Sequence, residues 1–134
     1  MSWAGERDML VVIVCGGRHY QDKSFVFETL SKLRAEAYQL VIVEGGCPTG
    51  ADAFARDWVK LQTEPGRYHR IQHFTVHPAW GRDGRLAAGP IRNRRMLENY
   101  EPDLVLAFEG GRGTKSCIDI ARELGVPVRK VRRQ

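Results

Sequence analysis

A chain of 134 residues, 43% hydrophobic and 28% charged, has the length and balance of one soluble globular domain with a real core. No apolar run approaches the ~18 residues a membrane helix needs. The polar first eight residues carry no signal-peptide stretch, so a cytoplasmic location is expected. The net charge of +5 attracts anions without marking a nucleic-acid binder.

Residues 9–15 form a continuous β-branched run, apolar on both faces, as in a central strand of a parallel sheet. Gly16, Gly17 and Arg18 follow at once. Residues 24–37 place Phe25, Phe27, Leu30, Leu33 and Ala37 near helical spacing, with Asp22 or Ser24 as the cap. Residues 40–43 are a second strand, ending in the loop Glu44, Gly45, Gly46, Cys47, Pro48, Thr49, Gly50. A helix from about Ala51 carries Phe54, Ala55, Trp58, Val59 and Leu61. Residues 62–69, with Pro65 and Gly66, read as a surface turn. Residues 71–76 alternate, which predicts a third strand at a sheet edge.

Residues 77–89 read as loop, and Pro90 stands where a helix starts, followed by Ile91, Met96, Leu97 and Tyr100. Glu101, Pro102 and Asp103 end that helix. Residues 103–108 are a fourth strand. It runs into Glu109, Gly110, Gly111, Arg112, Gly113 and Thr114, and then a helix to about Leu124. Gly125 is its C-terminal cap and Pro127 lies beyond. Residues 126–131 make a last short strand.

Strands alternating with helices predict an α/β, Rossmann-like three-layer sandwich around a five-stranded, mainly parallel sheet. Right-handed crossovers give the order 3-2-1-4-5. One domain over residues 1–134 is expected, with its core at about 9–131. Topology reverses between the first and fourth strands, where such folds bind ligands beyond the strands' carboxyl ends. Three glycine loops then converge on one crevice: Gly16 to Arg18, Glu44 to Gly50, and Gly110 to Thr114. Glycines let a ligand reach backbone N–H groups, and a helix N-terminus favours an anion beside them. A phosphate is the expected occupant.

The basic residues fall in two groups: Arg82, Arg85, Arg92, Arg94 and Arg95, and the tail Arg129, Lys130, Arg132 and Arg133. The tail reads as a solvated end. Arg92 and Arg95, three apart on a helix, are expected to share a face; that face forks onto a phosphate or is simply solvated. Asn93 is a candidate reader of a base or ribose hydroxyl, and Arg18 and Arg112 are candidates to close on phosphates. Asp52 reads as a site carboxylate or as a helix N-terminal charge. Glu44 is a second candidate carboxylate, and Glu109 a third that faces solvent. Trp80 stacks on a base or packs as a satellite of the core.

Cys15, Cys47 and Cys117 are odd in number and include no C-x-x-C pair, against a disulfide framework or a zinc site. His69, His73 and His77 are four apart, but His69 and His77 fall outside the strand. No metal and no cofactor is expected.

With these loops the chain resembles the SLOG superfamily, which joins the Smf/DprA DNA-processing proteins and the Lonely Guy phosphoribohydrolases. Within it the chain is most similar to the YspA-type, YpsA-related branch. Four features carry the resemblance: Val14 to Arg18; Glu44 to Asp52; Ala88 to Met96; and Gly110 to Thr114. It spans about residues 9–131. It implies a Rossmann-like fold that binds a nucleotide or nucleotide-derived ligand, commonly as a homodimer or higher homo-oligomer. Lonely Guy enzymes cleave the N-glycosidic bond of a nucleoside 5′-monophosphate with a loop of pattern Pro-Gly-Gly-x-Gly-Thr-x-x-Glu and an upstream arginine. Gly110, Gly111, Gly113 and Thr114 match the loop, and Arg92 matches the arginine. The final glutamate falls on Cys117 and the leading proline on Glu109.

That departure shapes the functional expectation. Glycosidic cleavage develops oxocarbenium character that a carboxylate stabilises and a cysteine does not. The first reading is therefore a binder of nucleotide-like ligands, a sensor or sequestering protein. It uses Gly16, Gly17, Arg18, Gly45, Gly46, Gly50, Arg92, Asn93, Arg95 and the loop Gly110, Gly111, Arg112, Gly113, Thr114. The alternative is a glycosidic hydrolase of nucleoside monophosphates or ADP-ribose derivatives, with Arg92, Glu44 and Asp52 as catalytic residues. Single-stranded DNA binding is third, since the aromatic interleaving such grooves use is missing.

Overall fold

The computed structural model describes residues 7–63 and 70–133. Five strands are laid down in chain order: β1 (Arg7–Cys15), β2 (Ala37–Glu44), β3 (Ile71–Thr75), β4 (Leu104–Ala107) and β5 (Val128–Lys130). Between them lie α1 (Lys23–Glu36), α2 (Gly50–Gln62), α3 (Trp80–Asp83), α4 (Ala88–Tyr100) and α5 (Arg112–Glu123). All four strand pairings are parallel and the order is β3-β2-β1-β4-β5. This is the order expected from right-handed crossovers.

The period-2 geometry of a strand divides the central run between two cores. Leu10, Val12 and Val14 of β1 face α1 and α2, packing with Leu30, Leu33, Trp58 and Phe108. Val11, Ile13 and Cys15 face α4 and α5, packing with Met96, Leu97, Ile118 and Ala121. Both faces of β1 are thus covered, which is why its sequence is apolar without alternation. Burying each such Leu, Ile or Val is worth about 1.5–3 kcal/mol. Trp58 is 1% exposed and donates its indole N–H to Ser31 Oγ at 3.0 Å, so it belongs to the core.

Local signals set the element ends. Asp22 Oδ1 accepts the Phe25 N–H at 3.1 Å and caps α1. Beyond the end of α5 stands Gly125, whose φ is +76°. The Gly125 and Val126 N–H groups close back on the Arg122 and Ala121 carbonyls, a Schellman arrangement. Helix α4 begins two residues before Pro90; a missing N–H in the first turn costs no helical hydrogen bond. Two boundaries differ from the sequence reading. Helix α1 runs directly into β2 with no loop between them. The expected loop over residues 77–89 contains α3 and the first residues of α4. The expected surface turn lies largely outside the described residues, as does His69. No described helix is long and apolar enough to cross a membrane.

Candidate functional site

A crevice of about 1590 Å³ opens at the carboxyl ends of β1, β2 and β4. Its walls come from all three glycine loops, from α4 and from the segment around α3. Gly17 is the hub that brings the loops together. Its N–H donates to the Glu109 carbonyl at 3.0 Å, and its own carbonyl accepts the N–H groups of Tyr20 at 3.2 Å and Ala51 at 3.4 Å. Thr49 Oγ1 donates to the Arg18 carbonyl at 2.8 Å. The first loop is therefore stitched to both others through backbone.

Close approach explains two of the glycines. A Cβ on Gly110 would collide with the Thr114 hydroxyl and stand 2.5 Å from the Gly17 nitrogen. Gly50 has a φ of +76°, and a Cβ there would collide with the Gly17 carbonyl. Gly50 thus packs loop on loop and does not line the crevice. Gly111 and Gly113, by contrast, have open space where a Cβ would go. They open helix α5, whose N-cap, Gly111, offers no side-chain hydrogen bond. The first-turn N–H groups of a helix have no partner within it. In α5 they stand at the crevice beside Arg112.

Glu44 is fully buried at the end of β2 and does not line the crevice. Four donors surround its carboxylate. Gly46 N–H (2.6 Å) and Arg56 Nη1 (2.7 Å) reach Oε1; His73 Nε2 (2.9 Å) and Thr75 Oγ1 (2.5 Å) reach Oε2. Burial alone would raise its pKa, but the bonds from His73, Thr75 and Gly46 and the Arg56 charge outweigh it and hold Glu44 below the usual range. Arg56 also donates to the Cys47 carbonyl. This corrects the reading of Glu44 as a catalytic carboxylate: its oxygens are committed to shaping the second loop.

Asp52 behaves oppositely. It is 7% exposed, lines the crevice, and accepts the Cys47 N–H at 3.3 Å. Burial, reinforced by the Glu44 charge, raises its pKa to about 6. A carboxyl poised there exchanges a proton near neutral pH.

Arg92 also lines the crevice. Its Nη1 donates to the Gly45 carbonyl and its Nε to Asn93 Oδ1 at 2.7 Å. Asn93 is buried, and its amide nitrogen donates to the Gly113 carbonyl and Ser116 Oγ, both at 3.3 Å. Asn93 thus ties α4 to α5 while also lining the crevice beside Arg92. Arg95 departs from expectation: it faces a shallow depression between α4 and α5, with Ile91 and Ile120, and does not share the crevice with Arg92.

Cys15 lines the crevice floor near buried Cys117, and the neighbouring thiol together with burial raises the Cys15 thiol. Cys47 is half-buried in its loop. The two described histidines of the three spaced four apart differ in role: His73 holds Glu44, and the His77 ring fills the space a Cβ at Gly46 would need. Among the described residues no three His, Cys, Asp or Glu side chains are grouped to hold a metal ion.

The model of the YspA, cpYpsA-related SLOG family matches residues 10–82. The Gene 61 protein of Mycobacterium phage D29 is 34% identical over 125 residues, an alignment covering 87% of this chain and 92% of that protein. The chain belongs to this SLOG family. The fold extends further than the sequence likeness. The X-ray structure of TM1055, a structural-genomics target, superposes with a TM-score of 0.57 at 20% identity, covering 90% of this chain and 72% of that one. For a SLOG protein compared with the Lonely Guy loop pattern, the telling residue is Cys117. It stands at the glutamate position and is buried with no exposure.

Sequence reasoning missed Arg56, His73 and Thr75 as a group. Each is unremarkable alone, and only the β2–β3 register, which sets Glu44 opposite Thr75, brings two of them onto one carboxylate.

Proposed function

We propose that this protein binds a nucleotide or nucleotide-derived ligand in the crevice, with a phosphate at the N-terminus of α5, as a sensor or sequestering protein. The carrying observation is the uncapped start of α5 at Gly111–Gly113, open to the crevice and flanked by Arg112. Unpartnered N–H groups and the positive end of the helix dipole both favour a phosphate there. Arg18 on the facing loop also lines the crevice and adds a second positive charge. Arg92 carries a third, held in place through Gly45 and Asn93. Calorimetric titration with nucleoside monophosphates, ADP-ribose and cyclic nucleotides tests this reading. Saturable binding by at least one, weakened in Arg112→Ala, is the expected result. No heat with any of them overturns it.

A second reading is supported by Asp52. A buried carboxyl with a pKa of about 6, lining the crevice beside Arg92, has the chemistry the missing glutamate would supply. In this reading the protein hydrolyses the N-glycosidic bond, with Asp52 stabilising the ribosyl cation or positioning water. Chromatography for free base after incubation with a nucleotide panel is the check. Base release that Asp52→Asn abolishes supports hydrolysis through Asp52; no release removes the reading, and release unaffected by that change removes the role of Asp52.

A further inference from the structure

Two large apolar side chains line the crevice and belong to neither core. Trp80 is 55% exposed and Leu86 is 83% exposed. Neither is a member of the buried clusters on either side of the sheet. Single exposed apolar residues are ordinary; two in one concave site, one of them an indole, are not. The backbone around Trp80 is held in place. The N–H groups of Arg82 and Asp83 donate to the Ala79 carbonyl at 3.1 and 2.8 Å, and Gly84 N–H donates to the Trp80 carbonyl at 3.0 Å. Ala88 N–H in turn reaches the Gly84 carbonyl at 3.0 Å, fixing the turn to the start of α4.

We propose that Trp80 and Leu86 form a subsite for the flat aromatic ring of the ligand's base. The proposal rests on the reading of a phosphate at α5. The crevice volume of about 1590 Å³ exceeds the roughly 300–1,000 Å³ of ordinary small-molecule sites, so it has room for a base and sugar beyond a phosphate. The glycine loops offer polar backbone and charge; the α3 segment offers apolar surface. One crevice therefore carries the two chemistries a nucleotide presents. An exposed ring face pairs with any base, because stacking needs only a π-face. The subsite thus separates nucleotides from bare sugar phosphates and leaves base identity largely unread.

Three probes separate the proposal from the reading it rests on: AMP, ribose 5-phosphate and adenosine, titrated calorimetrically and by tryptophan fluorescence. The native protein binds AMP at least about tenfold more tightly than ribose 5-phosphate, the scale of one base–aromatic stack. Trp80→Ala removes that ratio and leaves ribose 5-phosphate unchanged. Trp80→Phe restores most of it. Adenosine quenches the emission that Trp80→Phe deletes. An AMP to ribose 5-phosphate ratio unaltered by Trp80→Ala overturns the subsite, as does equal weakening of both ligands. Should neither phosphate ligand bind, the phosphate reading fails; Trp80-dependent quenching by adenosine then supports the subsite alone, and its absence ends it. A smaller species for Trp80→Ala on size-exclusion chromatography assigns the indole to an interface between copies and also overturns the proposal.

Discussion

Asp52 and Glu44 are both buried carboxyls at one end of the sheet, yet they load the fold in opposite directions. Asp52 has a folded pKa of about 6 against a reference of 3.8. Below about pH 4 it is protonated whether folded or unfolded and costs nothing. As pH rises from about 4 to 6 the unfolded chain gives up its proton first, so stability falls, by up to about 3 kcal/mol once the folded group is ionised. Asp52→Asn removes that term. Its stability advantage over the native protein, read from urea unfolding, is expected to grow between pH 4 and pH 7 and then level off. An offset that does not vary with pH removes the assignment. Glu44 is held below its reference of 4.5 by its four donors, so its contribution is present above about pH 4.5 and is lost as pH falls through the folded value. Glu44→Gln leaves the partly exposed Arg56 without its charge partner, so stability is expected to fall. The same unfolding series should show this loss near neutrality and a shrinking gap below pH 4. A gap that persists undiminished in acid would mean that packing, not charge, is the source.

The glycine loops show how elements, rather than single groups, make the site. Strand β1 delivers Gly17 to the point where the loops after β2 and β4 both touch it, and Gly110 is small because Gly17 and Thr114 leave it no room. Gly111, one residue on, faces open space. Adding the same methyl group at the two positions should therefore separate folding from binding. Gly110→Ala forces the loops apart at about 1–3 kcal/mol, the usual cost of overpacking. Gly111→Ala leaves thermal unfolding nearly unchanged and acts on ligand affinity alone, by crowding the N-terminus of α5. Equal shifts in melting temperature for the two variants contradict this division. The loops themselves were readable from residue order, since β-branched runs followed at once by glycine pairs mark strand ends. The short helix α3 was not. Pro78, Gly81 and Gly84 mask its single turn, and a turn that short leaves no periodicity to detect.

At the scale of the whole molecule, the crevice follows from topology: strands β1 and β4 are neighbours, their connections run to opposite faces, and the space between opens at their carboxyl ends. That much is legible in the sequence, because alternating elements and short connections admit few orders. The shell around Glu44 is not legible, because His73 and Thr75 come from β3 and Arg56 from α2, and only strand register and helix phase bring them together. The destination of the basic side chains was equally hidden. Arg82 pairs with Asp83, Arg94 with Glu98 and Glu123, Lys115 with Asp119, and Arg133 with Asp22 and Glu28. These ion pairs match cations with nearby carboxylates, while Arg18, Arg92 and Arg112 line the crevice, a set suited to one phosphate rather than to the many phosphates a nucleic-acid backbone presents. A fluorescent oligothymidylate and a labelled nucleotide, compared by anisotropy at 50 and 200 mM salt, give this a test. Oligonucleotide binding at the lower salt is expected to vanish at the higher, because it depends on releasing counterions from many phosphates. Nucleotide binding should survive, because one phosphate meets a fixed set of backbone donors at the start of α5. Oligonucleotide binding that persists at 200 mM salt would make the crevice a channel for a strand, with Trp80 stacking its successive bases.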